Sequence, residues 1–172
     1  MIFTWCRKKS ADIIFLQETH SKKETELQWK SEWGSEIMLS HGSGNLRGVA
    51  ILFKKGVVEV SLQSNILDPL GRFIILKAKI ADTTYVLINI YAPNKDKVIV
   101  KFLKDLTTVL KKENLDTEEN IIVGGDFNCP INPIVDKKGG LLTPRKLAVD
   151  SIEGFQYNFD LNDIWRVKKS WC

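Results

Sequence analysis

The 172-residue chain is predicted to fold as a mixed α/β (α+β) layer structure, and three observations carry that expectation. Several short apolar runs are separated by turn-forming clusters, the pattern of buried strands. One longer segment repeats its apolar residues at helical spacing with lysines opposite. No internal repeat, low-complexity tract or linker interrupts the chain, so a single domain over residues 1–172 is expected.

Taken in order, Ala11 to Gln17 is a compact apolar run, the pattern of a strand covered on both faces. Lys22 to Trp33 is polar with Leu27, Trp29 and Trp33 interspersed, and reads as an irregular helix or turn. Ile37 to Ser40 and Val49 to Phe53 flank the glycine-rich stretch 42–48 and predict a hairpin. Val58, Val60 and Leu62 alternate with polar residues, as in a half-buried strand. Asp68-Pro69-Leu70-Gly71 is a turn by composition. Arg72 to Ile80 and Tyr85 to Tyr91 predict a second hairpin about residues 81–84. Val98, Phe102, Leu106, Val109 and Leu110 predict an amphipathic helix and its buried face. Ile121 to Val123 returns to a buried strand ending at Gly124-Gly125-Asp126. From Phe127 to Pro144, three prolines and two glycines predict loop, followed by a helix from Arg145 to about Phe155 and a short apolar end at Leu161 to Trp165.

Lysine plus arginine number 25 against 21 acids, a net charge of +4 with the signs interspersed, which permits a nucleic-acid partner without demanding one. The longest stretch free of charge, Thr83 to Asn94, falls well short of the ~20 residues of a membrane helix, so no membrane partner is expected. Three distant cysteines, Cys6, Cys129 and Cys172, give neither a disulfide framework nor a paired zinc spacing. An intracellular protein is the default expectation. The stretch 42–48 lacks both the Gly-Lys-Ser/Thr of a phosphate loop and the dinucleotide glycine spacing, so no small-molecule cofactor is expected. Nothing in the sequence indicates an oligomeric state.

Chemistry gathers where strands are expected to end. The run 13–17 leads into Glu18, the run 121–125 into Asp126 with Asn128 two residues on, and the run 86–90 into Tyr91, Ala92, Pro93 and Asn94. Taken singly, each has an ordinary reading, as a solvated glutamate or as turn residues bonding their own backbone. Together, two carboxylates, amide side chains and a phenol form a donor set suited to an oxygen-loving cation such as magnesium, which keeps its waters and takes one or two protein carboxylates. Among the histidines, His20 reads as a surface residue and His41, before the glycine-rich turn, is expected to be exposed. Lys137, Lys138, Arg145 and Lys146 cluster in and beside the Gly/Pro loop. They are an ordinary solvated face or contacts for a phosphate backbone.

Phe15-Leu16-Gln17-Glu18-Thr19-His20, Asn89-Ile90-Tyr91-Ala92-Pro93-Asn94 and Gly125-Asp126-Phe127-Asn128 together resemble the endonuclease/exonuclease/phosphatase superfamily in order and spacing. Within it, the chain is similar to the apurinic-type endonuclease domain of LINE-type retrotransposons. Gly48-Val49-Ala50-Ile51-Leu52 and Leu161-Asn162-Asp163-Ile164-Trp165-Arg166 fit the same pattern.

The resemblance implies a two-sheet, DNase I-like β-sandwich flanked by helices, with a magnesium- or manganese-dependent phosphodiesterase site that nicks DNA. The nick would expose a hydroxyl that primes reverse transcription, and the place of action would be the nucleus. By that resemblance Glu18 would ligate the metal and Asp126 would handle the proton of the water or leaving group. Asn128 would orient the phosphate, with Tyr91 and Asn94 in support. Family domains begin with one more strand and end with a strand bearing an aspartate and then a Ser/Thr-Asp-His segment. The chain is therefore expected to be a partial domain, incomplete at both ends, with impaired activity. The alternatives are a catalytically dead nucleic-acid-binding remnant, or a phosphatase or phospholipid phosphodiesterase of the same superfamily.

Overall fold

The computed structural model describes residues 2–44, 46–56, 59–136 and 145–169. The chain divides into two compact units, the first of residues 1–92 and 118–127, the second of residues 93–117 and 128–172.

The first unit holds two sheets. Strands β1 (Ile13–Gln17), β2 (Ile37–Ser40) and β3 (Val49–Phe53) form an antiparallel sheet in the order β1-β3-β2. Strands β4 (Val60–Leu67), β5 (Phe73–Ile80), β6 (Thr83–Tyr91) and β7 (Ile121–Asp126) form the second, in chain order. The β4-β5-β6 meander is antiparallel, whereas β7 runs parallel to β6, with Val86 opposite Ile121 and Tyr91 opposite Asp126. A parallel partner needs a long return connection, here residues 92–120.

Packing explains the apolar runs. All five residues of β3 are buried, because the strand has a core on each face. Val49, Ile51 and Phe53 meet Ile74, Leu76 and Ala78 of β5 and Leu87 of β6 between the sheets. Ala50 and Leu52 meet Phe3 and Cys6 of helix α1 (Ile2–Arg7) and Trp33 of α2 (Glu26–Trp33) on the outer face. The Trp33 indole donates to the Phe53 carbonyl at 2.9 Å, which lets the large ring be buried with its polar handle satisfied.

In the second unit, helix α3 (Asp96–Lys112) packs against α5 (Lys146–Asn158). Two short helices, α4 (Pro133–Asp136) and α6 (Ile164–Lys169), are joined where Arg166 donates to Asp136 at 2.7 Å.

Both hairpins, the strand from Val60 and the two longer helices form where the pattern predicts them; Val58 lies outside the described residues. Several expectations are corrected. The buried stripe of α3 is Ile99, Leu103, Leu106 and Leu110: Leu106 and Leu110 lie on it as expected, but Val98 is 44% exposed and Phe102 and Val109 are only partly buried, so the face is turned towards Ile99 and Leu103. Strand β7 is not fully buried: it pairs on one side only among the described residues, and Ile122 is 46% exposed. Strand β1 is half-buried at all five positions. The stretch expected to be loop contains the single turn of α4.

Candidate active site

Glu18 follows the last residue of β1, and the chain bends there: Glu18 and His20 both adopt the left-handed region, at φ 51° and 52°. Such angles are costly for residues with a Cβ and persist where the surroundings enforce them. The enforcement comes from the glycine-rich connection, since Thr19 N donates to Gly48 O at 3.0 Å and His20 N to Arg47 O at 2.8 Å. Gly48 itself sits at φ 90°, and a Cβ there would come within 2.4 Å of Thr19 Oγ1. The end of the glycine-rich turn, Arg47 and Gly48, thus holds the loop carrying Glu18.

The Tyr91 hydroxyl donates to Glu18 Oε1. Tyr91 is also the register partner of Asp126 at the end of the β6-β7 pair, and the amide of the following residue, Ala92, donates to Asp126 O at 2.8 Å. Two carboxylates and a phenol therefore meet at one end of the first unit, with Glu18 and Asp126 exposed. Gly125, at φ 131°, makes this approach feasible: a Cβ there would lie 2.0 Å from Ile90 O.

Beneath these groups lies Asn89, fully buried. Its Oδ1 accepts from Gln17 Nε2 at 2.7 Å, and its Nδ2 donates to Leu16 O at 3.0 Å and Ala50 O at 2.8 Å. The amide ties β6 to β1 and β3, one residue before Glu18 and two before Tyr91. Arg72 braces the other side, donating to Tyr91 O at 3.2 Å and lying 5.9 Å from the Tyr91 ring centre. Burial, then the positive charge of Arg47, lowers the Arg72 pKa from its ordinary value. Asn89 opens the motif 89–94 but is given no role there, and Arg72 belongs to no motif; an asparagine within the apolar run 86–90 is the kind of signal that marks a buried brace.

Asn94 and Asn128 belong to the second unit. Their backbone carbonyls accept from one guanidinium, that of Arg145: Nη2 donates to Asn94 O at 2.5 Å and Nη1 donates to Asn128 O. Arg145 Nε donates to Asp96 Oδ1 at 2.6 Å. Lys146 is exposed at the start of α5, while Lys137 and Lys138 lie outside the described residues.

The histidines part company. His20 is exposed, but His41 is not, contrary to expectation: its side chain keeps 16% of its exposure. His41 Nδ1 lies 3.0 Å from Ser21 Oγ, and Nε2 lies 3.1 Å from Glu26 Oε2. Glu26 also pairs with Lys23 and Lys30, each at 2.7 Å. Hydrogen bonds from Lys23, Lys30 and His41, in that order of weight, hold the Glu26 carboxyl down at about 2.

Among the described residues, no three His, Cys, Asp or Glu side chains gather as a metal-binding group, and no helix is long and apolar enough to cross a membrane. Glu18, bonded to Tyr91, whose register partner is Asp126, still suits a hydrated magnesium ion, which needs only one or two protein carboxylates.

The model of the endonuclease/exonuclease/phosphatase family matches residues 1–165. The chain belongs to that family. It is similar to the transposon TX1 uncharacterized 149 kDa protein of Xenopus laevis, at 28% identity over 165 residues, which cover 96% of this chain and 12% of that protein. Its fold is similar to that of the AP endonuclease of Leishmania major, with a TM-score of 0.65 and 15% identity over 96% of this chain and 62% of that one. It is also similar to an AP endonuclease from Archaeoglobus fulgidus, with a TM-score of 0.62 and 22% identity over 91% of this chain and 64% of that one. The chain thus spans about an eighth of the transposon protein and under two thirds of each endonuclease. The family and the two-sheet, helix-flanked α+β class expected from the sequence are both borne out.

Proposed function

We propose that this chain carries part of a metal-dependent phosphodiesterase that nicks DNA, as in retrotransposon target-site cleavage. The observation that carries this reading is the Tyr91 hydroxyl donating to Glu18, with Asp126 opposite Tyr91 in the strand register. The family match and the similarity to the TX1 transposon protein support it.

Glu18 would hold the metal, magnesium or manganese, and the Tyr91 hydroxyl fixes the Glu18 carboxylate. When bound, the ion would stabilise the negative charge that builds on the phosphate and on the leaving oxygen. Asp126 accepts a proton from the attacking water. The new bond forms from water oxygen to phosphorus, the phosphorus–ester oxygen bond breaks, and the leaving oxygen takes up a proton. The Asn128 carboxamide donates to a phosphate oxygen, with Asn94 in support of the phosphate. Lys137, Lys138 and Lys146 hold the DNA backbone without reading sequence. Nicking of chromosomal DNA would make the nucleus its place of action.

The test is nicking of supercoiled plasmid in magnesium by the parent chain, Glu18→Ala and Asp126→Ala. The expected result is nicking by the parent, its loss in both variants and its loss on chelation. Unchanged nicking in both variants, or none from a folded parent chain, would overturn the reading.

A further inference from the structure

Arg145 stands in the sequence as one of four basic residues about the Gly/Pro loop, a natural candidate for a phosphate contact. In the structure, its guanidinium is already engaged on three sides, all within the second unit. Nε donates to Asp96 Oδ1 at 2.6 Å, Nη2 to Asn94 O at 2.5 Å, and Nη1 to Asn128 O. The side chain keeps 21% of its exposure and that of Asp96 33%, so the pair is partly withdrawn from water. Arg145 is also the residue on which α5 begins, its carbonyl accepting from Ala148 N and Val149 N, each at 3.0 Å. Asp96 is the first residue of α3. One planar fork therefore joins three segments distant in sequence: the start of α3, the turn at Asn128 and the start of α5.

The two carbonyls it holds belong to Asn94 and Asn128, the asparagines that close two of the three motifs. A carbonyl held by a cation fixes the peptide plane, and with it the direction of the side chain on the same residue. Asn128 has φ 51°, a conformation that needs such external support. Lysine could supply the charge but not the geometry, since its ammonium is a point donor on a flexible stem. We infer that Arg145 is a positioning residue that sets the backbone at Asn94 and Asn128, with Asp96 as its anchor, and is not a contact for the DNA backbone. Its bearing on catalysis rests on the phosphodiesterase reading above, but the clamp can be tested without any activity.

The experiment compares the full chain with Arg145→Lys, Arg145→Gln and Asp96→Asn by peptide-resolved hydrogen exchange, and adds salt-dependent binding of a fluorescent DNA duplex by anisotropy. In all three variants, exchange is expected to rise about fivefold or more in peptides covering 94–97 and 127–130, with β5 unchanged, as for a local opening. The slope of binding against salt should stay that of the parent in Arg145→Lys and Arg145→Gln. Where the chain nicks DNA, kcat should fall about tenfold in Arg145→Lys, with KM little changed, as for lost orientation.

Unchanged exchange in Arg145→Lys and Asp96→Asn would overturn the inference. So would faster exchange in β5 as well, which would make Arg145 a residue of general stability. A third overturning result is parent-like behaviour in Arg145→Lys with a salt slope reduced by about one in Arg145→Gln, the signature of a phosphate contact. A chain that never nicks DNA would defeat the phosphodiesterase reading, while the exchange result would still decide the clamp.

Discussion

Gln17 donates its side-chain amide to Asn89 at 2.7 Å, joining the strand that leads to Glu18 with the strand that leads to Tyr91. Asn89 passes the link on to Leu16 O and Ala50 O, so its carbonyl and its amino group are both satisfied at zero exposure. The register at which Tyr91 can reach Glu18 is thereby fixed from within the core.

Replacing Asn89 with leucine should destabilise the fold, although the volume is nearly kept. Leu16 O and Ala50 O lose donors and Gln17 loses its acceptor, and each unsatisfied buried group costs about 1–3 kcal/mol. The measurement is urea unfolding by Trp fluorescence, with a fall in the midpoint expected. Asn89→Asp should be worse at neutral pH than at pH 4, because it places an uncompensated carboxylate against two carbonyls. Equal stability of the leucine variant and the parent would show that the brace contributes nothing.

Gly125→Ala should be among the most damaging small substitutions in the chain. The added Cβ would meet Ile90 O at 2.0 Å and Ile90 N at 2.8 Å, backbone atoms of the adjacent strand, at φ 131° where an L residue is strained. Strand β7 must then shift, carrying Asp126 away from Tyr91. The expected outcome is a loss of about 2 kcal/mol or more together with loss of any nicking. Gly56→Ala is the control: it also has a positive φ, of 76°, but no neighbour within 4 Å, so its cost should be confined to backbone strain.

Acid should weaken the protein partly through Glu26. Its carboxyl titrates at about 2 in the fold against 4.5 when free, so the folded state favours the charged form. The contribution is complete above the unfolded value and is lost as pH falls from about 4.5 through about 2. With 19% of the Glu26 side chain exposed, the effect should be on the order of 2 kcal/mol. Glu26→Gln should lower the midpoint of urea unfolding at pH 7 and flatten its decline between pH 4.5 and 2. A parent-like slope in the variant would place the acid sensitivity elsewhere.

What the sequence made legible follows from how narrowly each pattern constrains structure. The run Val49-Ala50-Ile51-Leu52-Phe53 admits little but a strand buried on both faces, and it is one. In α3, by contrast, Val98, Ile99, Val100, Phe102 and Leu103 are all apolar, an arc too wide to say which edge turns inward. Ile121-Ile122-Val123 has the composition of a central strand, yet composition cannot reveal that β7 is paired on one side only among the described residues. The motif residues Glu18, Tyr91 and Asp126 were legible because three runs end in polar groups. The bracing contacts of Asn89 and Arg72 and the Ser21–His41–Glu26 contacts were not, because each is made with partners far away in the chain. Arg145 was legible as a cation but not as a clamp, since its three acceptors lie 17 to 51 residues upstream.

Tyr91→Phe isolates the hydroxyl on Glu18 from the rest of the site. The ring keeps its place beside Arg72, and the backbone bonds of Tyr91 to Arg72 are untouched, so stability should change by no more than about 1 kcal/mol. Glu18, exposed on its bend at φ 51°, would lose its Tyr91 donor and sample more orientations. If Glu18 carries the ion, the magnesium concentration for half-maximal nicking should rise about tenfold, the scale typical when a group that orients a metal ligand is removed. Saturating magnesium should recover most of the rate. A fall in rate that magnesium does not recover would instead assign the hydroxyl to the phosphate, and nicking identical to the parent at every magnesium concentration would leave it no part in either.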